Sequence, residues 1–258
     1  MYHRRARRRG GSGILDRSNI EGARLKTIGL IGGMSWESTV PYYRQINETV
    51  KERLGGLHSA RLILYSVDFH KVERLQHAGD WVAAGALLAQ AARSLEAAGA
   101  DFLVLCTNTM HKVAADIEAT VGIALFHIAD PTAEAIKQAG YTRVGLLGTR
   151  FTMEQDFYRE RLRQRHGLHV LVPDLPEREQ VHRIIYEELC LGKIIPASRE
   201  VYRSVMADLA QQGAQAIILG CTEIALLVDA QDASVPLFDT TAIHARKAAE
   251  RALGGPAA

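Results

Sequence analysis

Three short segments of the sequence place polar or thiol side chains directly after apolar runs, where an enzyme could hold reactive groups. They are GGMSWES (32–38), CTNTMH (106–111) and GCTE (220–223). Cys221 stands where a strand-like run ends and a helical segment would begin. Backbone N–H groups and a helix dipole at such a position favour the thiolate form. The thiolate could serve either as a nucleophile or as a base.

Two kinds of reaction fit such a thiol. Nucleophilic amidase chemistry needs a nearby histidine and an orienting carboxylate. Its candidate histidines are His111, His182 and His244, which the sequence cannot bring to a particular site. Removal of a proton from an α-carbon requires fewer functional groups. It needs a base on each face of the carbon and hydrogen-bond donors for the substrate carboxylate.

The apolar runs occur twice in the same order. Three pairs of segments match at offsets of 116, 114 and 112 residues: TIGLIGG (27–33) with RVGLLGT (143–149), GADFLVLCT (99–107) with GAQAIILGC (213–221), and IALF (123–126) with VPLF (235–238). Three matching blocks in one order favour an ancient duplication. The alternative is chance similarity among α/β strands that end in glycine.

Strands that alternate with helical segments predict parallel sheets with right-handed crossovers. We therefore expect an α/β fold of two similar Rossmann-like lobes, each a parallel sheet flanked by helices. Pseudo-two-fold symmetry would relate the lobes, and the active site would lie in the cleft between them. The first lobe would comprise residues 25–129 and 239–258, and the second residues 130–238. The terminal helix would pack back on a lobe.

In such sheets ligands bind outside the carboxyl ends of the strands. Thr107 and Cys221 are equivalent positions under the duplication, so they would approach the cleft from opposite sides. Asn108, Thr109 and Thr222 would add donors and helix N-termini for a substrate carboxylate. This arrangement predicts racemisation or a related carbanion reaction.

Charge is unevenly distributed along the chain. The net charge is +2, but residues 1–26 hold eight basic and two acidic residues, so the remainder is mildly acidic. We expect residues 1–24 to be a basic, disordered extension, either an accidental one with an alternative start at Leu25 or an arm that contacts nucleic acid. The acidic body argues against a nucleic-acid-binding surface.

Composition excludes several further classes of protein. No apolar run approaches the ~20 residues of a membrane helix. Three cysteines without a CxxC pair exclude a disulfide scaffold and a four-cysteine zinc site, and indicate a reducing, cytoplasmic setting. GLIGG lacks the GxGxxG spacing of dinucleotide sites, and no HExxH pair predicts a metal. We therefore expect neither a metal nor a nicotinamide cofactor.

The segments GLIGGMSWEST, CTNTMH and GCTEI resemble, in this order, the motifs of the cofactor-independent aspartate/glutamate racemases. The resemblance extends over about residues 25–253. It implies two α/β lobes, no pyridoxal phosphate, and two residues, usually both cysteines, that exchange the α-proton from opposite faces. This sequence resembles a Thr/Cys branch, with Thr107 where a cysteine is usual. Cys106 would point to the opposite side of its strand.

By this resemblance Cys221 takes the proton from the L-enantiomer, and Thr107 returns or relays one on the other face. An alcohol is a far weaker acid than a thiol, so the two faces would be served unequally. The alternative is that Thr107 only packs and that water donates. The expected substrate-binding residues are Met34, Gln76, Asn108, Thr109, Thr222 and Lys193. Lys193 would bind a side-chain carboxylate, or else it ends a helix in solvent.

The sequence thus predicts an enzyme that racemises an amino acid, with glutamate or aspartate as the expected substrate. Two alternatives remain open at this stage. One is a decarboxylase or isomerase of a small dicarboxylic acid in the same fold, and the other is a binding protein that has lost catalysis. The alanine-rich segment 81–100 would pack tightly or form a partner face, which makes a homodimer the expected assembly.

Overall fold

The structure is a computed structural model that describes residues 24–254. The predicted basic extension lies outside the described residues except for Arg24, and so do residues 255–258. None of the described helices combines the length and the apolar character that a membrane crossing requires.

The first half of the chain forms one parallel sheet with helices on its faces. In chain order its elements are β1 (Ile28–Gly32), α1 (Trp36–Leu54), β2 (Leu62–Ser66), α2 (Phe69–Ala78), α3 (Trp81–Ala97), β3 (Phe102–Leu105), a 3₁₀ helix (Thr109–Val113), α4 (Ala114–Glu118) and β4 (Leu125–Phe126). The strands lie in the order β2-β1-β3-β4. In the sheet Leu30 of β1 lies opposite Leu64 of β2 and Val104 of β3.

The second half repeats this arrangement. Its elements are α5 (Ala129–Gln138), β5 (Arg143–Gly148), α6 (Arg150–Glu154), α7 (Asp156–His166), β6 (His169–Leu171), α8 (Leu175–Glu187), a 3₁₀ helix (Leu189–Leu191), α9 (Pro196–Gln211), β7 (Ala216–Gly220), a 3₁₀ helix (Ile224–Leu226), β8 (Leu237–Asp239) and α10 (Thr240–Ala252). The strand order β6-β5-β7-β8 matches that of the first sheet element by element. The predicted α/β fold of two parallel, helix-flanked sheets is confirmed.

Central strands are buried on both faces, which explains why their sequences are apolar throughout. Every residue of β1, β3 and β7 is buried. In a parallel sheet with helices on both sides neither face meets water, so no polar alternation is needed. Helical crossovers therefore supply both layers that cover each sheet.

The helix that follows the fourth strand of each sheet packs on the other sheet. After β8, α10 buries Ala245 and Ala248 in the core of the first sheet beside Ile28. After β4, α5 buries Ala133 and Ile136 in the core of the second sheet. This exchange supports the proposed division into a first lobe of residues 25–129 with 239–258 and a second lobe of residues 130–238.

The alanine-rich segment 81–100 forms α3, which covers Trp81–Ala97. A separate helix, α2, precedes it and was not predicted. Ala84, Ala91 and Ala92 of α3 pack in the core of the first lobe, so this face serves internal packing rather than a partner. The homodimer stays a prediction. Exposed apolar side chains include Trp36, Val40 and Tyr43 on α1 and Val82 on α3.

Candidate active site

A cavity with about 320 Å³ of empty space, including its open part, lies between the carboxyl ends of the two sheets. Residues that follow β1 and β3 of the first lobe and β7 of the second contribute to its wall. Seven of the eight residues predicted for the site line it, namely Thr107, Cys221, Met34, Gln76, Asn108, Thr109 and Thr222. The two lobes therefore deliver their equivalent strand ends to one shared space.

Lys193 is the predicted residue that the structure does not bring to this cavity. It is exposed and absent from the cavity wall. The chain turns outward at Gly192, which has a φ of 71°, and the Lys193 N–H closes that turn by donating to the Glu188 carbonyl at 2.9 Å. A turn of this kind carries the lysine to the surface, as the alternative of a solvated helix end predicted.

Thr107 and Cys106 point in opposite directions at the end of β3. Thr107 lines the cavity, whereas Cys106 packs in the core with Tyr42 and Phe126. Burial raises the pKa of the Cys106 thiol, so this sulfur stays protonated and unreactive. The threonine, not the neighbouring cysteine, therefore occupies the first lobe's position in the site.

The loop after β1 reaches the cavity through a close backbone turn. Gly33 has a φ of +90°, and a Cβ there would lie 2.7 Å from the backbone nitrogen of Val67. Glycine is therefore required, since it alone adopts this conformation without a steric cost. The Gly33 N–H donates to Thr39 Oγ1 at 2.9 Å, and the turn brings Met34 to the cavity wall.

Ser35 occupies the N-cap position of α1 but does not cap the helix with its side chain. Its hydroxyl donates instead to Glu223 Oε1 at 2.7 Å, and its N–H donates to the same oxygen at 3.1 Å. Ser38 does not cap this helix either, because its Oγ donates to the Ser35 carbonyl rather than accepting from an N–H.

Glu223 is a residue of the cavity wall that was not predicted from the sequence. Only 1% of it is exposed, and its second oxygen, Oε2, accepts from Cys221 Sγ at 3.0 Å and from Thr222 Oγ1 at 2.8 Å. The carboxylate thus lies against the Cys221 thiol. The available signal was an acidic residue two positions after a cysteine at a strand end, in the segment GCTE.

Burial, and then the charge of Glu223, raise the pKa of the Cys221 thiol well above its ordinary value. The thiolate that the helix-dipole argument favoured is therefore not the resting form of Cys221. The sulfur rests as a thiol whose proton is directed at a carboxylate.

Asn108 lines the cavity, and a hydrogen bond fixes the orientation of its side-chain amide. The hydroxyl of Thr240 donates to the Leu219 carbonyl at 2.8 Å, so Thr240 must accept from Asn108 Nδ2, which lies 3.0 Å away. That bond fixes the orientation of the amide. It leaves Asn108 Oδ1 buried without a partner among the described residues. A donor on the substrate, such as an ammonium group, would satisfy it.

A wall of the cavity is built by the two helices α2 and α8. Tyr186 of α8 donates its hydroxyl to Gln76 Oε1 of α2 at 2.8 Å, and its ring stacks on Phe69 at a centroid distance of 6.4 Å. Ile185 and Cys190 line the same space. The sequence did not identify these residues, because a helical pattern does not show which turn of a helix faces a cleft. Cys190 lies in the short 3₁₀ helix after α8 and packs partly against the core of the second lobe.

A hydroxyl cluster joins the lobes on another side of the cavity. Thr109 of the first lobe lies 2.8 Å from Thr149 of the second lobe, Oγ1 to Oγ1, and both line the wall. Thr149 also caps α6 by accepting from the Thr152 N–H. Hydroxyl groups and strand-end N–H groups are suitable donors for a substrate carboxylate.

Three histidines are buried close to the site without lining the cavity, namely His111, His127 and His244. His111 Nδ1 donates to the Thr107 carbonyl at 2.7 Å, and its Nε2 accepts from the Ile128 N–H. Burial lowers the pKa of His111 to about 3, which keeps the ring neutral. No histidine lines the described cavity, so the amidase alternative lacks a base there. Among the described residues, no group of three or more His, Cys, Asp or Glu is arranged to hold a metal.

Comparison with known proteins assigns this architecture to a family. Residues 31–248 match the family model of the Asp/Glu/hydantoin racemases. The chain is 65% identical to a Yersinia pestis protein provisionally named an Asp/Glu racemase, whose crystal structure superposes with a TM-score of 0.82 over 88% of this chain and 99% of that one.

Two more distant relatives support the same assignment. An aspartate racemase homologue from Pyrococcus horikoshii OT3 is 38% identical, with a TM-score of 0.75 over 88% of this chain and 99% of that one. The broad specificity amino-acid racemase RacX of Bacillus subtilis (strain 168) is 22% identical over 85% of this chain and 95% of its own length.

Proposed function

The chain belongs to the Asp/Glu/hydantoin racemase family, a family of isomerases, and we propose that it interconverts the enantiomers of an amino acid without a cofactor. In this proposal Cys221 exchanges the α-proton on one face of Cα. On the opposite face the proton is exchanged from the side of Thr107. The observation that supports it most directly is that one cavity receives a thiol and a hydroxyl from equivalent strand ends of the two lobes.

Substrate binding follows from the groups on the cavity wall. The α-ammonium donates to Asn108 Oδ1, the buried acceptor without a partner. The α-carboxylate accepts from the hydroxyl groups of Thr109 or Thr149 and from N–H groups at the strand ends. Fixed donors in a water-poor site stabilise the charge that spreads onto this carboxylate when the α-proton leaves. Such stabilisation is needed because nothing else delocalises the carbanion.

The two faces of the substrate are served by unequal acids. By the family resemblance, Cys221 removes the proton from the L-enantiomer. A thiol ionises near ~8.5 when free and an alcohol does so only at far higher pH, so the Thr107 side has the weaker acid. Thr107 returns a proton to the opposite face or relays one from water. In the alternative mechanism Thr107 only packs and water alone donates the proton. Both mechanisms give the same product, and the Thr107→Cys variant distinguishes them.

For the substrate side chain two arguments compete. The family resemblance favours glutamate or aspartate. The wall favours an uncharged side chain, since it includes Phe69, Ile185 and Tyr186, and its charged member is the anionic Glu223. A second carboxylate near Glu223 would meet repulsion. The proposal therefore concerns the reaction, and the test compares both substrate classes.

The test is solvent deuterium exchange at Cα. Both enantiomers of glutamate, aspartate, methionine, alanine and serine are incubated with the enzyme in D₂O and followed by NMR and chiral chromatography. We expect deuterium incorporation together with inversion for at least one pair, unaffected by hydroxylamine, which inactivates pyridoxal-phosphate enzymes. Release of CO₂ without inversion would favour the decarboxylase alternative. No exchange from any amino acid would favour a binding protein.

A further inference from the structure

We propose that Glu223 is a catalytic residue that takes the thiol proton of Cys221 when an amino acid binds and later passes that proton to the Thr107 side. The proposal rests on the proposed function, because it concerns how the base of that reaction is generated. It goes beyond the Thr107/Cys221 pair by identifying where the thiol proton goes.

The surroundings of Glu223 identify Cys221 as the source of a mobile proton. Four hydrogen bonds reach the carboxylate, from the Ser35 N–H, Ser35 Oγ, Thr222 Oγ1 and Cys221 Sγ. An amide and two alcohols are far weaker acids than a thiol. Among these four donors, the Cys221 thiol is therefore the one whose proton this carboxylate can take. The Cys190 thiol also lies close to Glu223, so the experiment below identifies which cysteine reacts.

No salt bridge within the described part of the chain includes Glu223, although the residue is almost fully buried. A buried charge without a counter-charge is costly unless hydrogen bonds compensate it, and such groups concentrate at functional sites. Moving the proton from sulfur to oxygen creates no new charge in the pocket. It only moves the negative charge by one hydrogen-bond length, from Glu223 to Cys221.

Substrate binding supplies the reason for the proton to move. A free thiol is a weaker acid than a free carboxylic acid by about four pKa units, so the transfer is uphill in the resting enzyme. The substrate brings an ammonium group into the same cavity, where Asn108 offers its acceptor. A cation within a few ångströms favours an anion on sulfur. The thiol is thus kept protonated until a substrate is in position.

The proton balance closes over one turnover. First the S–H bond breaks and an O–H bond forms at Glu223 Oε2, which leaves a thiolate. The thiolate then takes the α-proton, so the S–H bond forms again while the electron pair stays on the substrate. A proton from the Thr107 side reaches the other face of Cα. The proton on Glu223 finally returns through cleft water to the Thr107 side, and both residues regain their starting forms.

Ser35 of the first lobe holds the Glu223 carboxylate of the second lobe in place. Both of its hydrogen bonds hold Oε1, so Oε2 is left facing Cys221 and Thr222. The use of an N-cap hydroxyl for this purpose leaves α1 without a side-chain cap. Ser35 is therefore a positioning residue, and a variant at this position separates the position of the carboxylate from its ability to accept a proton.

The experiment compares E223Q with S35A. Exchange at Cα of the L-enantiomer is measured between pH 6 and 9, and alkylation of Cys221 by iodoacetamide is measured without substrate, with the modified cysteine identified by mass spectrometry. For E223Q at pH 7 we expect kcat to fall by about 10²–10⁴-fold, the range of general acid–base catalysis. The remaining rate should rise tenfold per pH unit, because hydroxide replaces the internal acceptor.

Alkylation should change in the opposite direction to exchange. Removing the negative charge of Glu223 lowers the thiol pKa, so E223Q should be alkylated faster than the wild type while it exchanges more slowly. A merely structural role does not produce this opposition. S35A keeps the carboxylate, so we expect a smaller loss of kcat and a pH profile of wild-type shape.

Two results would overturn the proposal. One is an E223Q enzyme with wild-type kcat and pH profile, and the other is S35A reproducing E223Q in both measurements, which would make Glu223 only a link between the lobes. If E223Q does not fold, the pH dependence of the wild-type kcat tests the proposal by itself. An internal acceptor predicts a flat kcat between pH 6 and 9, and a tenfold rise per pH unit contradicts it. If the wild type exchanges no amino acid, the proposed function fails, while alkylation still reports the Glu223–Cys221 contact.

Discussion

The hydroxyl of Tyr186 in the second lobe donates to Gln76 Oε1 in the first lobe at 2.8 Å, although 110 residues separate them in the sequence. Gln76 Nε2 in turn donates to Met110 Sδ at 2.9 Å. The tyrosine therefore fixes the orientation of a glutamine at the cavity wall. Gln76 can offer its remaining N–H to a substrate only while both contacts hold its amide in place.

Tyr186→Phe tests this arrangement. Loss of one neutral hydrogen bond costs about 1 kcal/mol, or roughly fivefold in an equilibrium constant. We expect KM to rise by about that factor with kcat nearly unchanged, because the bond positions a binding group and not a reacting one. Tyr158→Phe is the matched control, since the Tyr158 hydroxyl has no partner among the described residues. Equal effects of the two substitutions would refute the assignment.

Cys221→Ser should abolish Cα exchange, with a loss of at least about 10³-fold. The alcohol that replaces the thiol is too weak an acid to form the base. Cys106→Ala serves as the control, because Cys106 lies in the core and outside the cavity. Deuterium exchange of both variants, compared with thermal unfolding, separates chemistry from folding. Wild-type exchange by the serine variant would show that another group is the base.

Thr107→Cys should raise turnover of the D-enantiomer relative to the L-enantiomer. A thiol on the Thr107 face is a stronger acid than the hydroxyl and forms its anion more readily. The measurement is the ratio of initial Cα-exchange rates from the two enantiomers. An unchanged ratio would mean that residue 107 only packs and that water serves this face.

Acidification below pH 6.5 should destabilise the fold through buried histidines. Burial lowers the pKa of His111 to about 3 and that of His244 to about 4, whereas both titrate near 6.5 when unfolded. The unfolded chain therefore binds more protons between pH 6.5 and 4. The free energy of unfolding is fully present above pH 6.5 and falls by up to about 1.4 kcal/mol per pH unit for each histidine.

Urea unfolding at pH 7, 6 and 5 measures this slope. His244→Asn should remove the contribution of one histidine to the slope of the free energy of unfolding against pH, whatever its effect on stability at pH 7. The histidine donates to the Phe126 carbonyl and accepts from Tyr42, so the variant also loses hydrogen bonds. The pH dependence, not the absolute stability, is therefore the quantity to compare. A slope that is the same in both proteins would assign the acid sensitivity to other groups.

The sequence predicted the strands and the positions at their ends because both are local features. Fully apolar strands followed by glycine, threonine or cysteine appear twice, and the repetition alone predicts that Thr107 and Cys221 approach one space. Glu223 could not be assigned in the same way. Its importance depends on contacts with Ser35, which lies 188 residues away in the chain.

Lys193 shows the opposite error, a residue assigned to the site that the fold carries elsewhere. Its segment reads as a helical pattern, but the chain forms a short 3₁₀ helix and turns at Gly192. The direction of a side chain after such a turn depends on two or three backbone angles. Residue types alone do not encode those angles strongly, so the orientation was beyond a reading of the sequence.

The exchange of α5 and α10 between the sheets has a mechanical consequence. The polypeptide passes from one half to the other twice, after β4 and after β8, and the two helices that make these passages contact each other. Two neighbouring covalent links define an axis. Rotation about that axis is the motion that two such links would leave to the lobes, and it would change the width of the cleft. An amino acid would thus enter when the two lobes rotate apart about this axis. The reverse rotation would bring the thiol and the hydroxyl back to the same alignment.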